Sequence, residues 1–148
     1  MPLLTKPDQQ ELERNRLRAH PRCVVCTRAH QNGLGVRFSL RDDGAVEGRF
    51  DCKVNCQGYC DILHGGVAAA LLDGAMTNCL FAHGVTAVTA EMAIRYHAPI
   101  RVGHELTARA RMSDARRSLY SVQAELLQEG EVRATATATF MERPQDTA

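Results

Sequence analysis

The chain has 148 residues, 45% hydrophobic and 24% charged, which suits one soluble domain with a single core. Eighteen Lys+Arg against seventeen Asp+Glu leave a net charge of +1, and no basic block is interleaved with aromatics, so nucleic acid is not an expected partner. The first eight residues lack a signal peptide's apolar centre, and no apolar run approaches the ~18 residues needed to span a bilayer. We therefore expect a cytoplasmic protein with no membrane partner.

Residues 1–22 read as a Pro-containing tail followed by a short peripheral helix over 8–18, where Leu12 and Leu17 stand among charges. His20, Cys23 and Cys26, with His30 beyond them, carry metal-ligand types at the spacing of half a zinc knuckle. Reduced, half-buried thiols are the other reading. The remaining cysteines at 52, 56, 60 and 79 form no disulfide framework in a chain without an export signal. Residues 34–40 and 45–50 predict two strands joined by a hairpin turn at Arg41-Asp42-Asp43-Gly44. A loop bearing Cys52, Cys56, Gly58 and Cys60 follows.

His64-Gly65-Gly66-Val67-Ala68-Ala69-Ala70-Leu71-Leu72-Asp73 then opens an apolar helix and sets one carboxylate two turns inside it. Apolar residues surround Asp73, so it is expected to be largely desolvated. An ionised carboxylate there must be paired or working, because burying it alone costs several kcal/mol. The helix start offers unpaired amide N–H groups and partial positive charge, and Gly65 and Gly66 leave room for a substrate oxygen. Either this is an oxyanion site with a nearby carboxylate, suited to acyl transfer, or it is a glycine-containing helix start with Asp73 bonded inside the fold.

The rest of the chain predicts four strands, 85–97, 104–112, 118–128 and 131–141, arranged as consecutive antiparallel hairpins. The last of them alternates apolar and polar residues through Ala134-Thr135-Ala136-Thr137-Ala138-Thr139, which gives it one buried face. The result is an α+β fold, a curved antiparallel sheet around one long helix, and this is the layout of the hotdog fold.

The segments Cys23-Val24-Val25-Cys26, Asn32-Gly33-Leu34-Gly35-Val36-Arg37-Phe38, His64-Gly65-Gly66 to Asp73, and Val88-Thr89-Ala90-Glu91-Met92-Ala93-Ile94-Arg95-Tyr96 with Pro99 resemble those of the PaaI-like acyl-CoA thioesterases. The resemblance implies a hotdog domain over 23–143, with residues 144–148 as a tail. It implies hydrolysis of an acyl-CoA thioester to free acid and CoA, without a cofactor. Asp73 matches the family's catalytic acid, as general base or nucleophile, and Gly66, with Gly65, matches the amide that polarises the carbonyl. His64 would shape the turn and Thr89 would help hold the attacking water. Arg116 and Arg117 match a hairpin that carries basic residues for the CoA phosphates, and Met76, with Leu80 and Phe81, would shape an acyl tunnel.

The resemblance further implies no metal, since the Cys-x-x-Cys segment is similar to one in relatives where it is not a metal site. It implies a homodimer or homotetramer whose active sites lie at the subunit interface. Departures are Gly74, where relatives often carry a polar residue, and Gly58, which follows Gln57 where some relatives place a side-chain amide. A non-hydrolytic acyl-CoA-binding protein, and a hotdog dehydratase or structural subunit, are the competing readings. The residues do not name the acyl group.

Overall fold

The computed structural model describes residues 5–28 and 31–142, and His30 and the tail at 144–148 lie outside them. Helix α1, Gln9–Ala19, begins where the Asp8 side chain accepts the Glu11 amide, and it carries Arg16 and Arg18 in its last turn, in keeping with the helix dipole. It is less peripheral than its charge suggests: Leu12 is fully buried, and the Asn15 amide donates to the Phe81 carbonyl at 3.0 Å. Leu17, by contrast, faces solvent.

Strands β1, Phe38–Leu40, and β2, Val46–Phe50, pair antiparallel across the expected turn, where Gly44 takes a φ of 88°. Helix α2, Gly65–Ala82, is the centre of the molecule, and every residue from Gly74 to Ala82 is buried. By length and composition α2 is apolar enough to cross a bilayer, which corrects the expectation that no run reaches that length; 67% of its span is buried inside the fold. That pattern is the one a core helix gives.

Strands β3, Ala87–Tyr96, β4, Leu106–Arg116, β5, Leu119–Gln128, and β6, Glu131–Glu142, complete a six-stranded antiparallel sheet in the order β1-β2-β4-β5-β6-β3. The side chains facing α2 are small in the middle of the sheet: Ala108 and Ala110 on β4, Ala124 on β5, and Ala134, Ala136 and Ala138 on β6 are all buried. Leu106, Leu126 and Phe140 fill the ends.

The expectation of four strands in consecutive hairpins fails at β3, which pairs with β6 instead of β4. Both neighbours of β4 are taken, by β2 and by β5. The tight β5–β6 turn, with Glu129 and Gly130 both at positive φ, leaves the far side of β6 as the free edge. Residues 97–105 carry the chain across the sheet end. The buried Gln128 fastens that crossover, accepting the Arg101 amide at 2.9 Å and donating to the Arg101 and His104 carbonyls at 2.9 and 3.2 Å.

Gly74 explains itself here. A Cβ on it would sit 2.5 Å from Val25 Cγ1, so the Cys-x-x-Cys segment packs its valine into a notch in α2 that only glycine leaves open. Ala gains about 1 kcal/mol over Gly in a helix interior, whereas overpacking a core costs about 1–3 kcal/mol. Gly74→Ala is accordingly expected to destabilise the wild type by up to about 2 kcal/mol in urea unfolding, and to become stabilising in a Val25→Ala background.

Candidate active site at the start of α2

Loop 56–64 delivers the chain to α2 as a small clasp. The Gly58 amide donates to the Ile62 carbonyl at 2.9 Å, the His64 amide to the Cys56 carbonyl at 2.9 Å, and the Leu63 amide to the Ile100 carbonyl at 2.8 Å. Gly58 lies flat against His64: a Cβ there would meet the His64 ring and backbone at 3.3 Å. Gln57 is committed within this clasp, its Oε1 accepting the Asp61 amide at 3.1 Å.

His64 is the N-cap residue of α2, and its Nδ1 accepts the Gly66 amide at 2.8 Å. This corrects the assignment of the Gly66 amide as the free donor, because its proton is already taken. Among the described residues the Gly65 amide has no partner. The Gly65–Gly66 peptide is held at both polar ends, since the Tyr96 hydroxyl donates to the Gly65 carbonyl at 2.7 Å while His64 takes the Gly66 N–H. The orphan Gly65 N–H therefore points from a fixed turn at the positive end of an 18-residue helix.

Asp73 sits two turns on, on the same strip of α2 as the half-buried Val67, Ala69 and Ala70. It is half-buried, not desolvated as its apolar neighbours suggest, because this strip of the helix is left uncovered by the sheet. Thr89 Oγ1 donates to Asp73 Oδ1 at 2.5 Å, a charge-assisted bond that fixes the carboxylate and leaves Oδ2 available. A β-bulge makes this contact possible. The β3–β6 register shifts between Thr89 and Glu91, so that Thr89 shares a face with Met92, Ile94 and Tyr96, which strict alternation would forbid.

Eight residues separate Gly65 from Asp73, about 12 Å along a helix at 1.5 Å per residue. An attacking group must come within about 3.5 Å of a carbonyl carbon whose oxygen touches the donor. The two halves of the site on one chain therefore cannot act on the same carbonyl. Strand β3, which ties both halves in place through Thr89 and Tyr96, is an edge strand of ten residues with Val88 and Tyr96 exposed.

Other expected residues lie elsewhere. Met76, Leu80 and Phe81 are buried in the core between α2 and its neighbours, so in this chain they line no cleft. They lie further along α2, in the half that the fold encloses on every side, which helical spacing alone did not separate from the open half. Arg116 and Arg117 face solvent at the β4–β5 turn, where Arg116 Nε pairs with Asp114 at 3.0 Å and Arg117 takes a φ of 56°. Two strands, β5 and β6, intervene between that turn and Val88, a spacing of about 14 Å. The sequence reading missed the parts of Tyr96 and Gly58, naming Gly58 only as a loop residue and a departure and Tyr96 only within the resemblance.

A family model described as the thioesterase superfamily matches residues 61–135. No curated protein matches the sequence. Among solved structures, the E. coli PaaI protein from the phenylacetic acid degradation operon superposes with a TM-score of 0.77 at 18% identity, covering 92% of this chain and 96% of that one. A putative thioesterase from Ralstonia eutropha, related to phenylacetic acid degradation, gives 0.70 at 26% identity over 86% and 97% of the two chains. A Streptococcus mutans protein bound to acetyl CoA gives 0.69 at 20% identity over 76% and 91%. The chain spans 55% of the length of a further thioesterase superfamily protein of the same fold.

Removing the phenol hydroxyl frees the Gly65 carbonyl without changing the ring, and a hydrogen bond of this kind contributes about 0.5–1.5 kcal/mol. Tyr96→Phe is expected to lower unfolding free energy by no more than that. It is also expected to speed hydrogen exchange at the first amides of α2, read by NMR, while those of β5 and β6 keep their rates.

Proposed function

We propose, from the premise that the chain belongs to the thioesterase superfamily, that it hydrolyses acyl-CoA thioesters at a site assembled from two copies of the chain. The observation that carries this reading is the split arrangement on α2. A free amide at its N-terminus and a carboxylate held by a hydroxyl lie about 12 Å apart along the helix, beside an unpaired edge strand. Pairing β3 with the β3 of a second copy covers both edges and brings the Asp73 of one subunit toward the Gly65 of the other. The Streptococcus mutans protein that carries acetyl CoA, and the PaaI likeness, support a CoA thioester as the substrate class.

In this mechanism the Gly65 N–H donates to the thioester carbonyl oxygen and stabilises the negative charge that develops there. Asp73 removes a proton from a water molecule, and Thr89, while donating to Asp73, accepts from that water through a lone pair. The hydroxyl oxygen attacks the carbonyl carbon, the C–S bond breaks, and the proton held by Asp73 goes to the departing CoA sulfur. Direct attack by Asp73 on the carbonyl, followed by hydrolysis of the anhydride, is the other course open to the same carboxylate. His64 acts by capping Gly66 and fixing the turn. Arg116 and Arg117, at an exposed hairpin, supply positive charge for the CoA phosphates of a substrate that extends along the sheet end. Six free cysteines support a reducing, cytoplasmic setting.

The experiment follows loss of thioester ultraviolet absorbance over a panel of aliphatic and aromatic acyl-CoAs, without thiol dyes, because the exposed Cys60 would react with them. Asp73→Asn is expected to cut kcat by about 10²–10⁴-fold with little change in fold. Tight CoA binding with no turnover by the wild type would instead make the protein a non-hydrolytic binder.

The shared site has its own test. Gly65→Pro deletes the one amide proton, and proline fits there because it is favoured at the first helical position and His64 already has an extended φ, ψ of −58°, 133°. Neither Gly65→Pro nor Asp73→Asn homo-oligomers should turn over. After mixing, dissociation and reassociation, about a quarter of wild-type activity should return, since half the dimers are hybrids with one intact site each. No recovery despite hybrid formation would place both groups of each site on one chain.

A further inference from the structure

Away from the α2 N-terminus, the segment leaving α1 gathers three donor side chains that the proposed chemistry does not use. His20 closes α1, its amide donating to the Arg16 carbonyl, and its ring stands edge-on to Phe81 at 5.0 Å. Its Nδ1 lies 3.6 Å from Cys26 Sγ, and the three atoms His20 Nδ1, Cys23 Sγ and Cys26 Sγ all fall within 4.8 Å of one another. Cys26 is buried and the other two are half-buried.

The turn is shaped around the first sulfur, as a thiolate requires: Cys23 Sγ accepts the Val25 amide at 3.3 Å and the Cys26 amide at 3.4 Å. The Cys26 thiol, His20 and these amides pull the Cys23 thiol down to about 3, and the bond to Cys23, together with burial, pushes the Cys26 thiol up. Asn78, fully buried, donates Nδ2 to the Gly74 carbonyl at 2.8 Å and keeps its Oδ1 without a partner among the described residues.

We propose that His20, Cys23 and Cys26 bind one thiophilic divalent cation, zinc in character, which fastens the Cys-x-x-Cys turn to α2. Two sulfurs and an imidazole are a soft donor set, and tetrahedral zinc sets such donors about 3.5–3.8 Å apart, which the 3.6 Å contact already matches. Binding takes the lone pair of a neutral His20 and both sulfurs as thiolates, and the thiol protons are released to solvent. Three protein donors leave a tetrahedral ion one further position; His30, grouped with them by the sequence, lies outside the described residues.

The site is built as a fastener, distant from the thioester chemistry but coupled to α2. Val25, between the two cysteines, fills the notch at Gly74, next to Asp73. The resemblance to relatives that carry a metal-free Cys-x-x-Cys did not include the convergence of His20 on the same sulfurs.

The test uses the full chain purified under reducing, chelator-free conditions. Elemental analysis is expected to find one zinc per chain. Co²⁺ added to the stripped protein should give a thiolate-to-cobalt charge-transfer band that saturates at one equivalent. Cys23→Ser and His20→Ala should each lose stoichiometric uptake and the rise in Tm that Zn²⁺ gives the wild type, whereas Cys56→Ser/Cys60→Ser should retain both. If Cys23→Ser does not fold, His20→Ala and the wild-type stoichiometry decide. Uptake unchanged in His20→Ala or Cys23→Ser would overturn the proposal, as would a reduced wild type that holds no metal. A Cys23–Cys26 disulfide, seen as loss of two hydrogens by mass with no metal uptake, would overturn it as well.

Discussion

Close approach of the sheet to α2 is the constraint on which the remaining structure depends. Strands β4, β5 and β6 turn alanines toward the helix, at Ala108, Ala110, Ala124, Ala134, Ala136 and Ala138, and larger residues there would hold the helix away. The helix answers with Gly74, which admits Val25 from the opposite side. An α2 enclosed from Gly74 to Ala82 and open along one strip between Gly65 and Asp73 is the result. Structure is concentrated in the second half of the helix and chemistry in the first.

The open half is ordered by contacts from two directions. His64 caps Gly66 from within the chain's own approach to the helix, and β3 reaches over with Tyr96 to Gly65 and Thr89 to Asp73. Both ends of the strip are therefore set by a single edge strand. The bulge after Thr89 is what lets one strand serve both ends, since it places an odd-numbered hydroxyl on the face of even-numbered neighbours. The outer side of β3, unpaired within the chain, is the edge that the proposed pairing with a second copy uses.

Much of this was legible in the chain itself. The turn at Gly44 and the alternation of alanine and threonine in β6 are local signals with local causes, and the elements formed near their expected bounds except β1, which begins at Phe38, four residues later than expected. His64, Gly65, Asp73 and Thr89 were also visible, through spacing and through resemblance. Less visible were the neighbours. The place of β3 beside β6 depended on which edges the tight hairpins left free, and a nine-residue crossover carries no local mark of its destination.

The sequence by itself determined the elements, the α+β class, and the residues that meet at the start of α2, because caps, turns and periodicity act over a few residues. Tertiary structure alone decided which amide is free. Gly65 and Gly66 are identical in covalent structure and adjacent in sequence, and only the His64 ring, turned back on its own helix, takes the proton of one and leaves that of the other. The same holds for Met76, which lies one turn beyond Asp73 where the packed fold encloses α2 on every side. Side-chain direction in three dimensions is a property of packing, and packing is set by residues far away in the chain.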